Sequence, residues 1–156
     1  MGREDFTTAL GWIFERSPWV AERAWDHRPF AVLPELHAAM VGVVAGADRA
    51  EKIALIRAHP DLGTRGRMSE ASVGEQAGAG LDLLTREEFE RFQGLNGAYR
   101  EKFGFPFIYA VKGSTKHDIL RALEERLAGG HAAEQANALE QIYRIAQFRL
   151  EDTIHA

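Results

Sequence analysis

The sequence predicts an all-α fold, a single-domain helical bundle spanning residues 1–156. Apolar residues recur at three- and four-residue spacing through most of the chain, helix-start patterns precede several of these runs, and the one apolar run of strand length has no evident partner strand. A chain of 156 residues with 46% hydrophobic content can bury a core without disulfides or a structural metal.

Each element has its own justification. Phe6, Leu10, Ile13 and Phe14 share one helical face, and Ser17 followed by Pro18 reads as a cap plus first-turn proline that opens a second short helix through Trp19 and Trp25. A third helix follows Pro34, with Leu36, Met40, Val43 and Val44 on its buried stripe. "DRAEKIALIRA" is a fourth, with Asp48 and Glu51 at capping-box spacing. It should end at His59, because the ring of Pro60 disfavours helical geometry in the residue before it.

Beyond that corner, "DLGTRGRMSEASVGEQAGAG" reads as a long Gly/Ser-rich loop, too long for an ordinary connection in a compact helical domain and therefore of functional interest. "TREEFERFQGLNGAYREKFG" restores helical period through Phe89, Phe92, Leu95, Tyr99 and Phe103, and Thr85 with Glu88 repeats the capping-box spacing. "GFPFIYAVKG" is expected to be an extended buried segment. In "STKHDILRALEERLAGG", Ser114 is the expected cap, Ile119, Leu123 and Leu127 form the stripe, and a glycine pair follows the end. The last helix is expected from about Ala132 to Asp152, with Leu139, Ile142, Tyr143, Ala146 and Leu150 in phase. No repeats, linkers or low-complexity tracts divide the chain.

Composition narrows the chemistry. Without cysteine there is no disulfide, zinc thiolate, iron–sulfur cluster or cysteine nucleophile. Interspersed charges summing to -4 give no basic footprint, so nucleic acid is not an expected partner. No segment reaches the length of a membrane span and the N-terminus lacks a signal-peptide core, so a soluble cytoplasmic protein is expected. The six histidines include no pair at i, i+3 or i+4, no metal site is expected, and no P-loop, dinucleotide fingerprint or nucleophile elbow is present.

Three places remain as candidates for chemistry. His59, immediately before Pro60, is either a helix-end histidine satisfying the last carbonyls or a rigidly held general acid–base. Ser72, Glu75 and Gln76 in "SVGEQ" match the capping-box pattern, yet Gly74, Gly78 and Gly80 around them would let something approach the backbone. There a carboxylate could orient an imidazole, and an amide could read the edge of a polar heterocycle. Arg149 sits among apolar neighbours of the last helix, and either pairs on the surface or aims a planar fork inward at a carboxylate or carbonyl.

In order along the chain, "FERSPWVAERAWDHRPF", "AHPDLG", "SVGEQAGAGLDLL", "LNGAYREKFGFPFIYAVKG" and "IAQFRLED" resemble the 2-oxo-4-hydroxy-4-carboxy-5-ureidoimidazoline (OHCU) decarboxylase family of urate degradation, over nearly the whole chain. The resemblance implies an all-α fold, no cofactor, and conversion of a small-molecule substrate, OHCU, into (S)-allantoin and CO2. It implies His59, Glu75 and Arg149 as catalytic residues. Pro60, Ser72, Gln76 and the segment Phe107, Ile108, Tyr109, Ala110 and Val111 would contact the substrate, the segment through its backbone groups. Relatives in that family are often homodimers, and association with the preceding hydrolase is conceivable, although the apolar faces are all explained by one core.

Overall fold

A computed structural model describes residues 2–63 and 68–154. They hold eight α-helices and no strand, and no helix is long and apolar enough to cross a membrane. The chain divides into two compact units: Met1–Ala58 with Ile142–Ala156, and His59–Gln141.

The first unit contains α1 (Arg3–Leu10), α2 (Trp19–Ala24), a 3-10 turn (Trp25–His27), α3 (Leu33–Ala45), α4 (Arg49–Arg57) and the second half of α8 (His131–Ile154). Phe6, Leu10, Val20, Met40, Val44, Leu55 and Ile142 are among its buried residues. α1 stops earlier than apolar spacing predicts. Gly11 caps it, donating its N–H to Thr7 O at 2.7 Å, and a Cβ there would lie 2.5 Å from that same oxygen and 3.1 Å from Pro18 Cβ. Ile13 and Phe14 are buried as expected, but on the turn that follows rather than on the helix. Arg16 there has φ 47°, a left-handed conformation that costs a non-glycine residue roughly 1–2 kcal/mol.

Ser17 does not cap α2: its hydroxyl donates to Glu15 O at 2.8 Å. Pro34 sits in the first turn of α3, which needs no proline N–H, and Val43 is only half-buried. Asp48 caps α4 by accepting from Glu51 N–H at 2.8 Å. The reciprocal half of a capping box is missing because the Glu51 carboxylate pairs with Arg23, at 2.6 and 3.1 Å. That pairing holds the Glu51 carboxyl below its ordinary range. α4 ends at Arg57 with Ala58 as its cap, immediately before His59.

In the second unit, the stretch read as a long loop contains a helix, α5 (Glu70–Gly78), capped by Ser69 Oγ, which accepts from Ser72 N–H at 3.2 Å. Ser72 is therefore a helical residue and not the cap. The expected loop over residues 64–67 lies outside the described residues. α6 (Arg86–Phe103) opens with the expected capping box, in which Thr85 and Glu88 bond reciprocally, and closes on Gly104 with φ 79°. Lys116 Nζ also donates to Glu88 at 2.7 Å, and the two interactions bring the Glu88 carboxyl down to about 2. α7 (Lys116–Leu127) is capped by Thr115, one residue later than expected, again in a reciprocal box with Asp118.

Phe105, Pro106, Phe107, Ile108, Ala110 and Val111 are buried without forming a strand, as expected of an extended segment. α8 begins at His131, and Ala138 rather than Leu139 is fully buried in its first half.

Candidate active site

In the second unit, the turn after His59 is fastened from two helices. On α5, Ser72, Glu75 and Gln76 fall within one arc of about 100° at 3.6 residues per turn, and Ser72 and Gln76 are buried, as is the cap residue Ala79, while Glu75 is half-buried. Gln76 uses its amide on the turn itself: Oε1 accepts from Gly63 N–H at 2.9 Å, and Nε2 donates toward Met68 Sδ at 3.1 Å and Asp61 O at 3.5 Å. On α6, Asn96 Nδ2 donates to Leu62 O at 2.8 Å, and Arg100 Nε donates to Asp61 Oδ1 at 2.8 Å. Residues 61, 62 and 63, directly beyond the His59–Pro60 corner, are thus each held by a side chain.

Gly63 completes the turn with φ 73°. A Cβ at this position would meet Leu84 Cδ1 at 3.0 Å and Phe92 Cγ at 3.3 Å, so both conformation and space call for glycine. His59 itself is buried.

α6 also supports the expected substrate segment. Tyr99 and Phe103 lie on the same arc as Asn96 and Arg100, and the Tyr99 ring meets Phe107 edge-on at 5.4 Å and Phe105 at 6.0 Å. The Arg126 guanidinium of α7 lies 5.1 Å from the Phe107 ring centre. From α8, Gln141 Oε1 accepts the Ala110 N–H at 2.9 Å, which occupies that backbone donor. Beside the segment, the buried Tyr99 and Glu134 anchor a polar cluster. Glu134 accepts from Tyr99 Oη at 2.5 Å and from Arg126 Nε, and Asn137 Nδ2 donates to it at 3.3 Å. Burial, and then the bond to Glu134, push the Tyr99 hydroxyl far above its ordinary range.

Arg149 belongs to the first unit and is almost wholly buried there. Nη2 donates to Glu15 Oε2 at 3.0 Å, and Nη1 donates to Trp12 O and Ile13 O, both at 3.3 Å. The inward reading of this arginine is the one the structure bears out.

The structure therefore joins the His59 turn, Gln76 and the α5 face in one hydrogen-bonded assembly, with α6 common to it and to residues 105–111. Glu15, Asn96 and Arg100 were not expected at all. Asn96 had a legible signal: it stands in phase with Phe92, Tyr99 and Phe103 on an apolar stripe, where a polar side chain has to find a buried partner. Glu15 had a weaker one, a carboxylate beside Phe14 in a stretch that reads as apolar helix.

The OHCU decarboxylase family model matches residues 1–151. The chain is 51% identical over 154 residues to the uric acid degradation bifunctional protein PucL of Bacillus subtilis (strain 168), covering 99% of this chain and 31% of PucL, so it spans about a third of that relative's length. It is 47% identical over 149 residues to the 2-oxo-4-hydroxy-4-carboxy-5-ureidoimidazoline decarboxylase of Haloferax volcanii, covering 96% of this chain and 89% of the relative. Among solved structures, an (S)-allantoin synthase superposes with a TM-score of 0.80 at 36% identity, over 99% of this chain and 51% of that one. An OHCU decarboxylase crystallised in the presence of (S)-allantoin shares the fold, with a TM-score of 0.77 at 20% identity over 99% of this chain and all of that one. With the family model matched over almost its entire length, the chain belongs to the OHCU decarboxylase family.

Proposed function

We propose that this chain decarboxylates OHCU to (S)-allantoin and CO2, the third step in converting urate to allantoin, without a cofactor. The observation that carries the reading is the His59 turn: a buried imidazole beside Pro60, with the next three residues tied to Gln76, Asn96 and Arg100. Family membership supplies the substrate.

The reaction needs no external electron sink. As the bond to the carboxylate breaks and CO2 leaves, its electron pair forms a carbon–carbon double bond in the ring, and the pair of the adjacent carbon–nitrogen double bond moves to nitrogen, which takes up a proton. The neighbouring hydroxyl then loses its proton as its carbon becomes a carbonyl, and the ureido-bearing carbon gains one. The sum is one proton consumed and one CO2 released.

In this reading His59 moves protons between the hydroxyl and the ring, Glu75 orients and compensates it, and Arg149 anchors the carboxylate. Proton delivery to one face gives one enantiomer. Pro60, Ser72, Gln76 and the backbone of Phe107, Ile108, Tyr109, Ala110 and Val111 form the substrate's surroundings. Gln76 also holds the turn, and its amide would have to share or exchange those bonds on binding. One catalytic domain over residues 1–156 and a cytoplasmic location belong to the same reading on length, composition and N-terminal sequence, and a possible homodimer on the resemblance alone; sedimentation velocity decides the last. CO2 release from freshly generated OHCU is expected to be catalysed by the purified protein and unchanged by a chelator. Release at the uncatalysed rate would refute the assignment.

A further inference from the structure

We propose that Glu15 is a positioning residue for Arg149, and that the turn from Gly11 to Pro18 is a cradle holding that guanidinium in one orientation. The proposal rests on the reading of Arg149 as the substrate's carboxylate anchor.

Four groups of this one short turn converge on the guanidinium. Glu15 Oε2 accepts from Nη2 at 3.0 Å, the carbonyls of Trp12 and Ile13 accept from Nη1 at 3.3 Å, and the Trp12 ring centre lies 5.9 Å from Cζ. The Glu15 and Arg149 side chains are 1% and 3% exposed, so neither charge is held by bulk water.

The local backbone is arranged for this contact. A helix continued from α1 would turn the carbonyls of residues 12 and 13 onto the amides of residues 16 and 17. Instead α1 stops at Gly11, Ser17 N–H goes to Phe14 O at 3.1 Å, Arg16 takes φ 47°, and the Ser17 hydroxyl fixes Glu15 O at 2.8 Å. The chain gives up two helical bonds and accepts a left-handed arginine, and oxygens of residues 12, 13 and 15 meet one guanidinium as a result. A surface ion pair needs none of these features. Carboxylate and carbonyls together fix the plane of the guanidinium, and the Glu15 carboxylate compensates its charge where bulk water does not. Without Glu15 the cation would lose this carboxylate and the acceptor that fixes Nη2, leaving the two carbonyls to hold Nη1.

The test is a double-mutant cycle on OHCU decarboxylation with wild type, Glu15→Ala, Arg149→Ala and the double variant, each compared by near-UV circular dichroism with the wild-type fold. Glu15→Ala is expected to lower kcat/KM by about 10–100-fold, chiefly through KM, since a misplaced binding group loses effects of this size. Glu15→Gln, which keeps an acceptor, should lose less. In the Arg149→Ala background, removing Glu15 should change kcat/KM hardly at all. If Glu15→Ala does not keep the native spectrum, the cycle is run with Glu15→Gln, and the same collapse is expected on a smaller loss. An undiminished Glu15 effect without Arg149, or wild-type kcat/KM in the folded Glu15 variant, overturns the positioning role while leaving the decarboxylase reading intact. Wild-type kcat/KM in Arg149→Ala overturns the anchor reading and this proposal with it.

Discussion

Replacing His59 by Ala removes the group proposed to move protons while leaving Pro60 and the bonds to residues 61–63 in place. Turnover of OHCU should fall roughly 10²–10⁴-fold with the fold retained, the range of general acid–base catalysis, as measured by initial rates on a variant with a native thermal transition. The same turn can be attacked through its backbone. Gly63→Ala forces an L side chain to φ 73° against Leu84 and Phe92, so it should lose roughly 1–3 kcal/mol in urea unfolding and lower turnover as the His59 corner shifts. Asn96→Leu leaves the Leu62 carbonyl unpaired, and a loss of about 1–3 kcal/mol is expected by the same assay. At this scale the sequence was informative where a rigid residue marks a position, as Pro60 does for His59. It was silent where a side chain's role depends on distant backbone. Gln76 reads as an amide that could address a ligand, and only the fold brings Gly63 N–H to it across thirteen residues of chain. Arg149 was open between surface and interior because Glu15, its counter-charge, lies 134 residues away in sequence.

Helix α5 is the element that sequence reading placed least well. Its nine residues include Gly74 and Gly78 and few large apolar side chains, so neither propensity nor periodicity distinguishes it from a loop; the Ser69 cap and the Gln76 bonds make it a helix in context. A Cβ at Gly74 would meet nothing within 4 Å, so Gly74→Ala should raise stability by about 0.5–1 kcal/mol in urea unfolding. α6 is the opposite case, because its stripe and capping box were both legible and both are present. Thr85→Ala should destabilise by about 1 kcal/mol through loss of the bond from Glu88 N–H. The end of α1 was misjudged for a physical reason: apolar spacing continues through Ile13 and Phe14, but Gly11 and the close approach of Pro18 end the helix, and the two side chains reach the interior from a turn.

Across the whole molecule, the helical fold followed from periodicity and the buried segment around Phe107 from an apolar run that breaks it, while the polar anchoring of both did not. That anchoring predicts a response to pH. Glu88 titrates near 2 in the folded protein, and Asp118 and Glu51 are also held below their ordinary values by cap amides or by Arg23. Folding therefore favours their ionised forms. Their contribution is fully present above the unfolded carboxylate range and is lost as pH falls below it, for Glu88 from about 4.5 toward 2. Tyr99 is shifted the other way, so its contribution is complete below its ordinary value of 10.0 and declines as pH rises beyond that. Thermal unfolding should accordingly show a plateau between an acid and an alkaline edge, and the acid edge should move to higher pH in Lys116→Met, which removes the cation beside Glu88.

The central claim is most directly tested by generating OHCU in situ from urate with the two preceding enzymes and following the circular dichroism of the allantoin formed. The expected result is faster appearance of the (S)-allantoin signal with this protein, abolished or slowed to near the spontaneous rate by His59→Ala; slow racemic product whether or not the protein is present would contradict the account.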